Sequence, residues 1–113
     1  MKTNLLFVCS ANMDRSPAAE ALFENSEQFE AKSAGLSEFC EIPVNSQAVE
    51  WADMIFVMNE RYEMHRSLLL KRFPKETIGK DIRILNISNE FLRHDPELER
   101  LLRISLEREG ILF

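Results

Sequence analysis

Cys9 and Arg15 are the two residues of this 113-residue chain whose types and spacing can do chemistry together. A cysteine offers a sulfur nucleophile, and an arginine offers a planar fork of donors that can grip two oxygens of a phosphoryl group and offset its charge. Between them lies Ser10-Ala11-Asn12-Met13-Asp14, a short segment whose backbone N–H groups can face an oxyanion. The elements that must hold this pair are legible on either side. Leu5-Leu6-Phe7-Val8 is a continuous apolar run into Cys9, and Ser16-Pro17 opens a series of helix formers, Ala18-Ala19-Glu20-Ala21-Leu22. Serine is the expected N-cap there and proline the first helical residue. Strand, loop and helix follow in that order, at the place where open parallel sheets bind ligands. A helix N-terminus beside Arg15 favours an anion and an ionised Cys9 sulfur together.

The bare spacing of a cysteine and an arginine is weak, and the plain alternative is a buried strand-end cysteine followed by a surface charge. Asn12 inside the loop, Ser16 after it, the preceding strand and the following helix start make the pattern specific. The segment from Leu6 to Asn12, together with Arg15-Ser16-Pro17-Ala18-Ala19-Glu20, resembles the phosphate loop of the low-molecular-weight protein tyrosine phosphatases. Ser33-Ala34-Gly35, Trp51 to Met58 and Asp95-Pro96-Glu97-Leu98 are similar to a short bacterial branch of that superfamily, so the resemblance spans nearly the whole chain. It implies a cysteine-dependent phosphomonoester hydrolase that works through a cysteinyl-phosphate and needs no cofactor or metal. In that reading Cys9 and Arg15 are catalytic, Ser10, Ala11, Asn12, Met13, Asp14 and Arg15 bind phosphate, and Ser16 and Ser33 support the loop.

Composition fits a compact enzyme. The length suits one domain over residues 1–113 with a core of its own. A formal net charge of −5 argues against nucleic-acid or anionic-membrane partners, and no apolar run is long enough to span a bilayer. A cytoplasmic protein is expected, since Met1-Lys2-Thr3-Asn4 leads into a strand with no cleavage pattern. Separately, a monomer is the default expectation, with no residue pattern that fixes the oligomeric state. Cys40 reads as an ordinary loop cysteine, or as a resolving partner that closes a disulfide with Cys9 under oxidation. The expected partners are a phosphorylated protein or small phosphomonoester, with inorganic phosphate as product.

Strands alternating with helices imply an α/β fold, a three-layer, four-stranded parallel doubly wound sheet with flanking helices and right-handed crossovers. The first helix is predicted from Pro17 to about Ser26, with Ala18, Ala21, Leu22 and Asn25 toward the sheet. Phe29 to Ala34 alternates as an edge strand ended by Gly35. Asn45 or Ser46 caps a short helix through Ala52, Met54 to Met58 is a strand buried on both faces, and Trp51 reads as core. Asn59 caps a helix over Glu60–Arg72 whose inward face is Tyr62, His65, Leu69 and Phe73, with His65 a satisfied buried histidine. Ile82 to Leu85 is the last strand. Asp95 caps a final helix from Pro96 to about Glu109, with Leu98, Leu101, Leu102 and Leu106 inward.

One departure touches the chemistry. Hydrolysis of a phosphomonoester needs a general acid for the leaving oxygen, which the resembled family supplies as an aspartate between the last strand and last helix. The matching segment here is Asn86-Ile87-Ser88-Asn89-Glu90-Phe91, so the general-acid position is Asn89, and an amide cannot donate a proton as an acid. Glu90 and Asp95 are the possible surrogates. Asp14 is a second departure, expected to project to solvent from the rim of the loop because an inward anion would oppose a bound dianion. Three functions follow: a phosphatase weakened at Asn89, a pseudophosphatase that captures phosphotyrosine or another oxyanion without turnover, and a IIB-type phosphocarrier. The last ranks behind the others, because Arg15-Ser16-Pro17 is foreign to such carriers.

Overall fold

A computed structural model describes residues 1–112. Four strands, β1 (Thr3–Cys9), β2 (Phe29–Gly35), β3 (Met54–Val57) and β4 (Asp81–Ile84), form one parallel sheet in the order β2-β1-β3-β4. Helices α1 (Arg15–Ala21), α2 (Ser46–Trp51), α3 (His65–Arg72) and α4 (Pro96–Arg108) connect or follow the strands. The expected doubly wound α/β architecture is thus observed, with β2 on an edge. The connection after β1 leads to one side and the chain returns to β3 on the other, so the sheet switches direction at β1. Cys9 ends that strand.

The pleat of β1 sorts its side chains between two cores. Leu5, Phe7 and Cys9 face a layer built with Ala19 and Phe23 and with Leu98, Leu102 and Leu106 of α4. Leu6 and Val8 face the opposite layer with Val49, Ala52 and Leu69. Phe7 lies between Phe23 and Phe56, ring centroids 5.7 and 5.4 Å away, which fixes the end of β1 from which the loop departs. Trp51 packs on the second core with the Lys32 ammonium 4.4 Å from its ring, as expected of a core residue.

Caps are where local sequence spoke most clearly. Asn45 accepts from Ala48 N at 2.8 Å and Asp95 from Glu97 N at 2.9 Å, each starting a helix with its side chain. The first helix differs from expectation: it begins at Arg15, two residues early, and ends at Ala21. Residues 22–25 continue as turns instead. Ser16 therefore is not the N-cap but lies inside the first turn, fully buried, and the inward residues are Ala19 and Phe23 while Ala21 and Asn25 are exposed. At α4, Leu98, Leu102 and Leu106 are buried as read, whereas Leu101 is half-buried.

The segment after β3 differs more. Asn59 does cap, but its Oδ1 holds a turn, accepting from Tyr62 N at 2.8 Å and Glu63 N at 3.3 Å. Met64 then takes a left-handed conformation, φ 55°, and α3 starts only at His65. Tyr62 consequently stands in solvent, 76% exposed, while His65 and Leu69 are buried. A pattern with helical spacing was overridden by a local break, because the asparagine side chain satisfied the turn amides before a helix could.

Candidate active site

The segment from Cys9 to Arg15 curls around a pocket of about 230 Å³, closed on its other sides by Glu63 and Asn89. Asn12 turns the loop in a left-handed conformation, φ 54°, which asparagine tolerates better than most residues. Its Nδ2 donates to Ser16 Oγ at 2.8 Å. The Ser16 hydroxyl lies 3.0 Å from the Cys9 sulfur and 3.4 Å from the Ala34 carbonyl, so an ionised Sγ has a buried donor within reach as the nearer of two acceptors. The backbone N–H groups from Ala11 to Asp14 meet no protein acceptor among the described residues. They are open to a ligand. With α1 only seven residues long, these amides and Arg15 dominate the local field, and the helix dipole adds less than the sequence suggested.

Arg15 is buried, 4% exposed, and its donors are apportioned. Nη1 donates to Glu63 Oε2 at 2.6 Å and to the Ile87 carbonyl at 2.8 Å, and Nη2 donates to Glu63 Oε1 at 2.6 Å. A guanidinium carries five N–H groups in a plane. Three are spent, and the two left, Nε–H and the second Nη2–H, share one edge. Glu63 thus holds the far end of the guanidinium and leaves a two-pronged fork free for two oxygens of an anion.

Glu63 is itself held. Ser10 Oγ donates to its Oε1 at 2.9 Å and stands 2.8 Å from His65 Nε2. Asn59 N–H donates to His65 Nδ1 at 3.1 Å, which places the ring proton on Nε2 and directs it at Ser10. A chain runs from Asn59 through His65, Ser10 and Glu63 to Arg15. The hydrogen bond from Arg15 holds the Glu63 carboxyl below its usual range, and burial pushes His65 down to about 4. At neutral pH the chain is a carboxylate beside a neutral imidazole.

Neither Glu63 nor His65 was assigned a site role from the sequence. The readable signal was positional: both follow β3, the strand beside β1 in the sheet, so their segment emerges at the same sheet edge as the loop. Other expectations divide. Asp14 does not project freely from the rim: its Oδ1 accepts from Arg93 N at 2.9 Å, tying the loop to the chain before α4. Ser33 is buried but donates to Glu20 of α1, supporting the helix and not the loop. The support from that stretch comes from Gly35, where a Cβ would sit 3.0 Å from the loop backbone at Ala11 and Asn12. Leu36 N and Ser37 N donate to the Cys9 and Ser10 carbonyls, both at 2.9 Å. Cys40 is a free thiol that donates to the Ser37 carbonyl, and no disulfide joins it to Cys9. Asn89 stands in the pocket wall, whereas exposed Glu90 does not line it and Asp95 is the cap of α4. Among the described residues no cluster suited to a metal ion occurs, and no helix is long and apolar enough to cross a membrane.

Residues 4–54 match the family model described as low molecular weight phosphotyrosine protein phosphatase. Among curated proteins none matches the sequence. The fold is similar to those of three solved enzymes across almost their full lengths. The low molecular weight protein tyrosine phosphatase SP-PTP from Streptococcus pyogenes aligns with 100% of this chain and 95% of its own, at TM-score 0.71 and 17% identity. The tyrosine phosphatase Wzb from Escherichia coli, in complex with phosphate, aligns at 0.68 and 17%, covering 97% of each chain. The arginine phosphatase YwlE from Geobacillus stearothermophilus aligns at 0.64 and 22%, covering 96% of this chain and 94% of its own. The resemblance drawn from the sequence is borne out as similarity: the family model matches over residues 4–54, and the fold is shared over the length of the chain.

Proposed function

We propose that this chain, of the low-molecular-weight protein tyrosine phosphatase type, is a cysteine-dependent phosphatase in which Cys9 is the nucleophile and Arg15 the phosphoryl clamp. The observation that carries this reading is that one small pocket is lined by Cys9, by Ala11, Met13 and Asp14, whose amides meet no protein acceptor among the described residues, and by Arg15, whose guanidinium keeps one edge unspent. A phosphoryl group seated there presents phosphorus to sulfur while its outer oxygens meet the amides and the fork. Cys9 Sγ attacks phosphorus, the bond to the leaving oxygen breaks, and a cysteinyl-phosphate forms. Water then cleaves the S–P bond, releasing inorganic phosphate and returning the thiolate. Ser16 stabilises the sulfur as it accepts negative charge again.

The substrate is a phosphorylated protein or a small phosphomonoester, and Asn89 limits turnover because it cannot protonate the leaving oxygen. Neither Glu90 nor Asp95 replaces it in this reading. The purified protein is expected to hydrolyse 4-nitrophenyl phosphate, with turnover abolished in Cys9→Ser and anion affinity lost in Arg15→Ala. Equal rates in wild type and Cys9→Ser would overturn the assignment. Asn89 also favours a second reading, capture of phosphotyrosine or another oxyanion without turnover. Tight vanadate binding with no cysteinyl-phosphate on rapid quenching would select it.

A further inference from the structure

Two features of the pocket wall bear on which phosphoryl donor it accepts, given the phosphatase reading above. The first is proton inventory. Around the reacting sulfur the walls carry Asn89, Asp14 and Glu63 as polar side chains besides Ser10 and Arg15. Asp14 Oδ1 is turned to the Arg93 amide, and both Glu63 oxygens accept from Arg15, one of them also from Ser10. A carboxylate that accepts three charge-assisted or hydroxyl hydrogen bonds is held ionised, and ionised it has no proton to give. His65 directs its N–H at Ser10 and stands behind that residue, while His94 lines a separate hollow with Asp14, Arg93 and Asp95 and is not in the pocket wall. The second feature is shape. No aromatic side chain lines the pocket, so a phenyl ring attached to the phosphate would find no face to stack on. Tyr62, close in sequence to Glu63, is 76% exposed outside the walls.

We propose that this site selects acyl phosphates, mixed anhydrides of a carboxylic acid and phosphate, over aryl and alkyl phosphomonoesters. The step balances without an acid. The Cys9 thiolate forms the S–P bond, the P–O bond to the acyl oxygen breaks, and the electron pair leaves on a carboxylate whose conjugate acid has a pKa of about 4, against about 10 for a tyrosyl phenolate. No proton is needed for the carboxylate to depart. The Asn89 amide, a donor of hydrogen bonds but not of protons, suits an oxygen that already carries its charge comfortably. Water then hydrolyses the cysteinyl-phosphate as before.

The test compares kcat/KM for acetyl phosphate, 4-nitrophenyl phosphate and phenyl phosphate with the full chain. That ratio reports the steps up to departure of the leaving group and is blind to slow hydrolysis of the intermediate. Acetyl phosphate is expected to exceed phenyl phosphate by about 10²–10⁴-fold, the usual contribution of a missing general acid, with 4-nitrophenyl phosphate between them. In Asn89→Asp the gap should narrow by at least about tenfold. Comparable values for acetyl and phenyl phosphate in the wild type would overturn the preference while leaving the phosphatase reading intact. Release of phosphate from none of the three, or release unchanged in Cys9→Ser, would remove both. If Glu63 were the acid, Glu63→Gln would depress phenyl phosphate selectively, and that result too would overturn the proposal.

Discussion

At the scale of single residues, the pocket depends on how one buried arginine divides its donors. Glu63 takes the far end of the guanidinium and Ile87 fixes a third N–H, so Arg15 cannot swing and its remaining edge is presented to the pocket. Loss of the carboxylate frees that edge to wander. Glu63→Gln is therefore expected to lower kcat/KM for all phosphoryl substrates alike, by about 10–100-fold, because small misplacements of a clamp cost that much. Steady-state kinetics with two substrates of different leaving group check both the loss and its uniformity. His65 makes a separate prediction. Its value of about 4 in the fold lies below the 6.5 of an ordinary histidine, so between those limits the unfolded chain binds the extra proton. Stability then rises with pH across that window and is lost as pH falls through it. Urea denaturation should show this slope between about pH 6.5 and 4.5, above the range of ordinary carboxylates, and His65→Gln should remove it.

At the scale of elements, the loop from Cys9 to Arg15 is shaped by what lies under it. Gly35 at the end of β2 approaches the loop so closely that an added Cβ would meet Ala11 and Asn12 backbone atoms at 3.0 Å and the Cys40 sulfur at 2.7 Å. The sulfur can rotate away, but the backbone cannot without deforming the seat. Gly35→Ala is expected to cost about 1–3 kcal/mol and to weaken phosphate binding, and adding Cys40→Ala should not restore it. Calorimetric titration with inorganic phosphate and a denaturation curve measure the two effects. Asp95 behaves differently: as the cap of α4 its replacement by alanine should cost about 1 kcal/mol and leave kcat/KM unaltered. A fall in kcat/KM would return Asp95 to the list of acids.

At the scale of the whole molecule, ligand and fold stabilise one another. The loop joins β1 to α1, Glu63 follows β3 and Asn89 follows β4, so an anion in the pocket bridges segments from three parts of the sheet. Binding to the folded form alone raises stability by about 2.7 kcal/mol at one hundred times Kd. Vanadate should raise Tm in the wild type and not in Arg15→Ala, as thermal unfolding would show.

The sequence by itself determined everything that rests on neighbours along the chain. The apolar run into Cys9, the six-residue step to Arg15, the capping side chains of Asn45 and Asp95 and the alternation that marks β2 as an edge strand are all local signals, and each is where it was expected. The helix starts were less secure, since Asn59 and Asp14 settle turns through side-chain and loop contacts that compete with helical spacing. Tertiary structure alone decided the company of Arg15. Glu63 lies 48 positions away and meets it because β3 pairs beside β1 and a left-handed Met64 turns the chain back before α3. Which distant carboxylate satisfies a buried guanidinium is settled by strand order and one turn, and neither carries a period or a spacing that a sequence can display.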